Sequence, residues 1–363
     1  MLQANGGIGP GFDLLRLALA LSVVVFHSFQ LTYGRGWNAG NGVAGLAVVY
    51  VVPTFFALSG FLVAGSMVRL GRVWTFLAFR ALRIVPALAA EIALSAVLLG
   101  ALFTAFPLAA YFTDPGFWRY FSNALGIIRY ELPGVFLNLP VANVVNGQLW
   151  TVPSELYCYL ALAALMAMRI ATRRWLLLGA FLVLAIGECV LGLLPGRHYT
   201  AGVLQSAESL VLCFLFGVVL YLFRDEVPVS LPLFLAAILA GALTARFVPV
   251  LALLIGPMAA GYVAVYLGLR RVPRLPLVQG GDYSYGVYLY SFPLQQAIVA
   301  TLPGLREWYW NLPIAAVAAL LFAMLSWHLV EKPALRARRF LVPSTPEALR
   351  ASPSGRTANG GAS

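Results

Sequence analysis

A series of long apolar segments separated by short arginine-containing stretches limits what this chain can fold into. Taking about 20 apolar residues as one bilayer crossing, we identify ten such segments. They are residues 12–33, 45–68, 84–106, 149–168, 175–194, 203–223, 231–245, 248–269, 283–301 and 312–330. The chain is 61% hydrophobic and 10% charged, so a soluble fold would lack the polar residues to cover its surface. We therefore predict an all-α, polytopic bundle of about ten transmembrane helices.

Basic residues predict how the bundle lies in the membrane. Lysine and arginine accumulate in the cytoplasmic loops of membrane proteins. With the N-terminus inside, 18 of the 24 basic residues fall in inside segments and 6 in outside segments. We therefore expect both termini in the cytoplasm. The net charge of +11 is then mostly a signal of orientation, and we expect no nucleic-acid partner.

The bundle is expected to account for nearly the whole chain. We assign residues 1–340 to one transmembrane domain, with a long aromatic outer loop at 107–147 that lies in the membrane interface. The first segment begins with charged residues and lacks a cleavage-site pattern, so we expect it to be retained rather than removed as a signal peptide. Residues 341–363, rich in Ser, Pro, Gly and Ala, are expected to form a disordered cytoplasmic tail.

A histidine inside the first segment is the leading candidate for chemistry. His27 follows Arg16 by eleven residues, which places both on nearly the same helix face, about 16 Å apart along the axis. Asp13 and Arg16 are three residues apart and can pair on that face. Titratable groups are costly inside a membrane and are functional candidates for that reason. The alternative is a packing histidine bonded to a backbone carbonyl.

Glu155, near the start of the fourth segment, is the second candidate. Counting from the outer ends of their segments, His27 and Glu155 both lie about 10 Å deep, so they could meet at one site. Pro153 is expected to kink the helix and free backbone groups, which a membrane tolerates only beside protein or a water-filled cavity. The alternative is a carboxylate that only pairs with an arginine in the bundle.

Arg80 and Arg83 stand just before the third segment. Three residues apart on a helix, their guanidinium groups share a face and suit bidentate capture of phosphate. The alternative is ordinary anchoring of a cytoplasmic helix end. The three histidines of the chain lack the spacing of metal ligands, so we predict no metal site.

Hydroxyl and aromatic side chains cluster in the ninth segment and beside Glu155. Four tyrosines and two serines between residues 283 and 291 could line a polar cavity for a hydroxylated substrate, although an aromatic belt at the interface is the alternative. The candidate substrate contacts are Asp13, Trp150, Ser154, Tyr285, Tyr288 and Ser291.

Taken together, these motifs resemble the membrane acyltransferase-3 family, integral-membrane O-acyltransferases that modify surface polysaccharides, peptidoglycan, lipid-linked sugars and some antibiotics. The resemblance covers the chain to about Phe340. It rests on six motifs in the family's order: residues 12–16 (FDLLR) with ten residues before His27, 55–61 (FFALSGF), 80–86 (RALRIVP), 146–155 (NGQLWTVPSE), 284–289 (SYGVYL) and 331–333 (EKP).

The resemblance also implies roles for individual residues. His27 is expected to be catalytic, Glu155 a second essential polar group, and Arg80 and Arg83, with Arg16, the residues that bind the phosphates of acyl-CoA. The chain departs from the family pattern at Ser291, where many members have histidine, so no second catalytic histidine is expected there. No esterase-like domain is expected after the bundle.

The resulting hypothesis is an enzyme that moves an acyl group, acetyl in the first instance, from cytoplasmic acyl-CoA to a hydroxyl of a carbohydrate. The acceptor would be an exopolysaccharide, an O-antigen or a lipid-linked sugar, and the enzyme would lie in a bacterial cytoplasmic membrane. The alternative is a transporter or flippase of a lipid-linked or charged solute, which would also place polar residues mid-membrane. That class predicts inverted repeats, which the sequence does not display.

Overall fold

The structure, a computed structural model, describes residues 10–34, 43–197, 199–270, 272 and 280–341. Within these ranges the chain is helical apart from turns, loops and one isolated β-bridge between Thr104 and Val135. The all-α prediction is therefore confirmed. Residues 342–363, nearly all of the predicted cytoplasmic tail, lie outside the described residues.

The helices follow the predicted segments in order. Among the described residues, six helical stretches are long and apolar enough to cross a membrane: Gly11–Tyr33, Gly45–Leu70, Val73–Phe103, Gly147–Ala167, Arg174–Gly192 and Trp308–Phe340. All ten predicted segments are helical, and the total of ten spans and their orientation stay predictions. The α-helices are α1 (Pro10–Tyr33), α2 (Val43–Leu70), α3 (Val73–Ala93), α4 (Gly100–Phe103), α5 (Leu108–Thr113), α6 (Pro115–Tyr120), α7 (Thr151–Ala167), α8 (Arg174–Gly192), α9 (Ala207–Leu222), α10 (Leu231–Phe247), α11 (Ala252–Gly268), α12 (Ser284–Thr301), α13 (Trp308–Ser326) and α14 (Lys332–Arg336).

The third helix begins earlier than the hydropathy pattern indicated. It starts at Val73 rather than near residue 84, so Arg80 and Arg83 lie within α3 and not before it. A search for continuous apolar residues ends a segment at an arginine. The folded chain accommodates these arginines within the helix because other helices supply their hydrogen-bond partners. A π-helical turn, Leu94–Leu99, connects α3 to α4 without a break.

The long outer loop is partly helical and partly buried. It contains α5, α6 and a 3₁₀ turn (Phe121–Leu125), with Tyr111 and Tyr120 fully buried and Trp118 exposed. Beyond them the chain enters the bundle, since Val141, Val144, Val145 and Asn146 are all buried. A second 3₁₀ turn, Gly147–Trp150, leads directly into α7. Helix α7 therefore begins inside the bundle rather than at its surface.

Helices α2 and α9 make the most extensive helix contact among the described residues. Two glycines allow it: a Cβ on Gly60 would clash with the carbonyl of Phe214, and one on Gly217 would clash with the carbonyl of Ala57. Small residues that let two backbones approach are a common basis of helix association in membranes. This contact supports the α2 face that forms one wall of the site.

Substitution of Gly217 by Ala should destabilise the protein by about 2 kcal/mol, because the clash is with backbone that cannot rotate away. Gly187→Ala on α8 is the control, since an added methyl group there meets no atom within 4 Å. Thermal unfolding of the purified variants in detergent measures the difference. Equal unfolding midpoints for the two variants would contradict the assigned packing.

Candidate active site

A cavity of about 160 Å³ lies between α1, α2, α3, α7 and α12. Four charged side chains line it: Arg16, Arg80, Arg83 and Glu155. The remaining wall is aromatic, aliphatic and hydroxylic, and comprises Val52, Phe55, Phe56, Leu58, Ser59, Leu62, Val63, Ile84, Thr151, Val152, Tyr159, Ser284, Tyr285 and Tyr288. Six residues predicted from sequence thus share one cavity: Arg16, Arg80, Arg83, Glu155, Tyr285 and Tyr288.

An ion-pair network lies at the charged end of the cavity. Arg83 donates to Asp282 at 2.7 Å and to Glu331 at 2.6 Å, and Arg16 donates to Asp282 at 2.6 Å and pairs with Asp13. Burial alone would raise the pKa of the Asp282 carboxyl, but Arg83 and Arg16 more than offset it and hold that pKa at about 2. Asp282 therefore stays ionised at neutral pH. The network joins α1, α3, the residues before α12 and the π turn Trp327–Glu331.

Arg80 differs from Arg83 although both lie on one face of α3. Its guanidinium donates to Ser66 at 3.4 Å and lies 5.9 Å from the ring centroids of Phe76 and Tyr159. Within the part of the chain that the structure describes, Arg80 has no carboxylate ion pair, and its Nε has no hydrogen-bond partner. Arg80 is thus the cavity arginine with the most donor capacity free for an anion.

Glu155 lies beside the arginines rather than beside His27. Its carboxylate accepts a 2.5 Å hydrogen bond from Tyr159, whose hydroxyl also contacts Ser59 at 3.4 Å. The estimate of a shared depth for Glu155 and His27 assumed that α7 starts at the surface, whereas it starts inside the bundle. Pro153 is the third residue of α7, so its missing N–H falls in the first turn, where the helix needs no donor.

The turn that precedes α7 is held by α12. Pro293 has no backbone N–H and therefore cannot donate to the carbonyl of Leu289. The side-chain amide of Gln148 donates to that carbonyl instead, at 2.8 Å. The hydroxyl of Tyr288 donates to the carbonyl of Gln148 at 2.9 Å and contacts Thr151 at 2.7 Å. A proline in one helix thus creates the acceptor that fixes the start of another.

His27 is buried, 7% exposed, and lies outside the cavity wall. Its Nδ1 is 3.0 Å from Oε1 of Gln30. An amide oxygen only accepts, so this contact places the ring proton on Nδ1 and leaves the Nε2 lone pair available. The His27 ring meets Phe292 edge to face, with centroids 5.0 Å apart, and Phe292 packs on Gly147. Phe292 therefore lies beside both His27 and the turn that starts α7.

Four of the predicted substrate contacts do not line this cavity. Asp13 pairs with Arg16, Trp150 is partly buried in the turn before α7, and Ser154 is buried on α7. Ser291 is fully buried and donates to the carbonyl of Tyr288 at 3.3 Å.

Sequence analysis overlooked three carboxylates that the structure places near these residues. Asp282 and Glu331 are the ion-pair partners of Arg83, and Glu91 is fully buried in α3. A carboxylate within an apolar segment is the same signal that identified His27, and it would have singled out Glu91. The pairings of Asp282 and Glu331 span 199 and 248 residues, and no local pattern predicts them.

Comparison with known proteins shows one family across most of the chain. The acyltransferase domain matches residues 10–329. An O-acetyl transferase of Shigella phage Sf6 is 29% identical over 93% of this chain and 97% of its own length. Nodulation protein 10 of Rhizobium leguminosarum bv. viciae is 30% identical over 94% of this chain and 97% of its own length. No solved structure matches the chain significantly.

Two glutamates that pair with arginine test how much the buried network stabilises the fold. Glu331→Gln leaves the Arg83 charge less compensated in a buried site and should cost about 3 kcal/mol. Glu226→Gln removes the partner of Arg174 at an exposed position and should cost less than about 1 kcal/mol. The unfolding midpoints of the two variants, measured side by side in detergent, give the comparison. A cost for Glu226→Gln equal to that for Glu331→Gln would argue against the network.

Proposed function

The chain belongs to the acyltransferase-3 family and is an O-acyltransferase, and from this premise we propose that it transfers an acyl group from acyl-CoA to a carbohydrate hydroxyl. Acetyl is the proposed group, and an exopolysaccharide, O-antigen or lipid-linked sugar is the proposed acceptor. The names of the two relatives, an O-acetyl transferase and a nodulation protein, support this substrate class. We place the enzyme in a bacterial cytoplasmic membrane with the arginines on the cytoplasmic side.

One observation carries the proposal: a single helix, α1, places Arg16 in the cavity wall and carries His27 further along its length. Near the start of α1 Arg16 donates to Asp282, and near its end His27 contacts Phe292. Eleven residues of helix separate Arg16 from His27, which corresponds to about 16 Å. A donor whose phosphates bind at the arginines would therefore extend its thioester arm along α1 toward the imidazole.

The phosphates of the donor bind first at Arg80. This guanidinium lines the cavity without a carboxylate ion pair among the described residues, and planar guanidinium groups suit phosphate oxygens. Arg83 and Arg16 add positive charge while Asp282 and Glu331 hold them in place. Glu155 and Tyr159 line the same cavity beside Arg80, where they contact the donor arm.

The chemical step is a single acyl transfer in which His27 is the general base. The acceptor oxygen attacks the thioester carbonyl, an ester C–O bond forms, and the C–S bond to CoA breaks. Nε2 of His27 removes the proton of the acceptor hydroxyl and returns it to the leaving thiolate. Base catalysis of this kind contributes about 10²–10⁴-fold, and holding two substrates in contact contributes the rest.

Replacement of His27 by Ala should abolish acyl transfer, because it removes the imidazole that acts as the proposed general base. The variant should still insert into membranes and bind acetyl-CoA, since the arginines are unchanged. His328→Ala is the control, because His328 is exposed. Incubating membranes with labelled acetyl-CoA and analysing glycans by mass spectrometry measures transfer. Full activity of His27→Ala would exclude this residue as the base.

Replacement of Arg80 by Gln should raise the KM for acetyl-CoA about tenfold or more and leave kcat nearly unchanged, because a contact to a remote phosphate is equal in ground and transition states. Arg72→Gln is the control, since Arg72 is exposed at the start of α3. Initial rates at varied acetyl-CoA concentration separate the two constants. An unchanged KM would remove Arg80 from the donor site.

A further inference from the structure

Glu91 is a fully buried carboxylate with no part in the chemistry above. It lies on α3, eight residues beyond Arg83, and does not line the cavity. Its Oε1 accepts from Ser95 and from Asn146, each at 2.6 Å. Its Oε2 has no hydrogen-bond partner among the described residues. Burying such a group is costly, and an apolar side chain of similar size would fill the same volume without that cost.

The hydrogen bond to Asn146 connects Glu91 to the segment that enters the bundle. The Asn146 amide also donates to the carbonyl of Leu289 at 3.3 Å. That carbonyl is the one left without a helix donor by Pro293, and Gln148 also donates to it. The side-chain amides on either side of Gly147, those of Asn146 and Gln148, therefore both bind α12. Glu91 on α3 holds the Asn146 amide in place.

Gly147, which lies between Asn146 and Gln148 in the chain, packs against Phe292, the aromatic neighbour of His27. A Cβ on Gly147 would lie 2.6 Å from the ring of Phe292, so only glycine allows the backbone to approach this closely. Phe292 in turn meets the imidazole edge to face, at a centroid distance of 5.0 Å and an interplanar angle of 81°. Direct contacts thus lead from Glu91 through Asn146, Gly147 and Phe292 to His27.

We propose that Glu91 is a positioning residue for acyl transfer, which acts through Asn146 to hold the Gly147–Trp150 turn and Phe292 against His27. The inference rests on the proposed function, since it assigns Glu91 to that reaction. The role requires an acceptor at this position. It does not require a charge, because Ser95 and Asn146 both donate to one oxygen.

Two substitutions of Glu91 separate an acceptor from a charge. Glu91→Leu removes the acceptor and should lower kcat by about 10-fold to 100-fold, since a displacement of about 1 Å near reacting groups has effects of this size. The KM for acetyl-CoA should stay within about twofold of wild type, because the arginines are not touched. Glu91→Gln keeps an oxygen for both donors and should retain kcat within about threefold of wild type. Purified protein and labelled acetyl-CoA are used, with detergent gel filtration to check folding.

Asn146 and Ser95 supply the matched comparison. Asn146→Ala should lower kcat as Glu91→Leu does. The double variant should lower kcat at most about twofold further, because both substitutions remove the same Glu91–Asn146 hydrogen bond. Ser95→Ala removes the other hydrogen bond of Glu91 and should leave kcat within about threefold of wild type. If Glu91→Leu does not fold, Asn146→Ala alone carries the test.

Three results would overturn the positioning role. They are a normal kcat for Asn146→Ala, multiplied losses in the double variant, and a loss in folded Glu91→Gln as large as in Glu91→Leu. The last result would assign the carboxyl a charge or a proton to carry. Wild-type protein that transfers no acyl group would instead contradict the proposed function, and the two failures are therefore distinguishable.

Discussion

The ion pairs of Arg83 hold the charged end of the bundle together, and the rest of the site depends on them. One guanidinium binds Asp282 and Glu331 at once, and Asp282 also binds Arg16. Charges in an apolar setting are stable only when they are paired and hydrogen-bonded. The pairing therefore fixes α1, α3, α12 and the end of α13 relative to one another. It also satisfies two of the three cavity arginines and leaves Arg80 without a carboxylate among the described residues.

The amino-acid sequence predicted the helices and several residues of the cavity, but not the depth of each group. Hydropathy located all ten helical segments, because apolar length is a local property. It misplaced the start of α3, because Arg80 and Arg83 count as breaks in an apolar window although Ser66, Asp282 and Glu331 supply their partners in the fold. The estimate for Glu155 counted residues from an assumed helix start at the surface, whereas α7 begins inside the bundle, after a buried segment that hydropathy assigned to an outer loop.

Proline and glycine in this structure determine where backbones meet. Pro293 leaves the carbonyl of Leu289 free, and the side chains of Asn146 and Gln148 take its place in hydrogen bonding. Gly147 lets the same segment press against Phe292. In a membrane, where water cannot satisfy a freed carbonyl, such an acceptor has to find a protein donor. Asn146 and Gln148, two polar residues of the 146–155 motif, therefore join the start of α7 to α12.

The π-helical turn between α3 and α4 changes the direction in which side chains point along the helical stretch Val73–Phe103. A π turn contains one residue more than an α turn, so every residue beyond it is rotated by about 100°. Before the turn, α3 directs Glu91 toward Asn146. Within the π turn the carbonyl of Ala96 accepts from Tyr111, and beyond the turn Gly100 lies beneath the same tyrosine. One continuous helical stretch thus contacts Asn146 before the π turn and Tyr111 of the 107–147 segment from the turn onward, and its winding sets the angle between these two contacts.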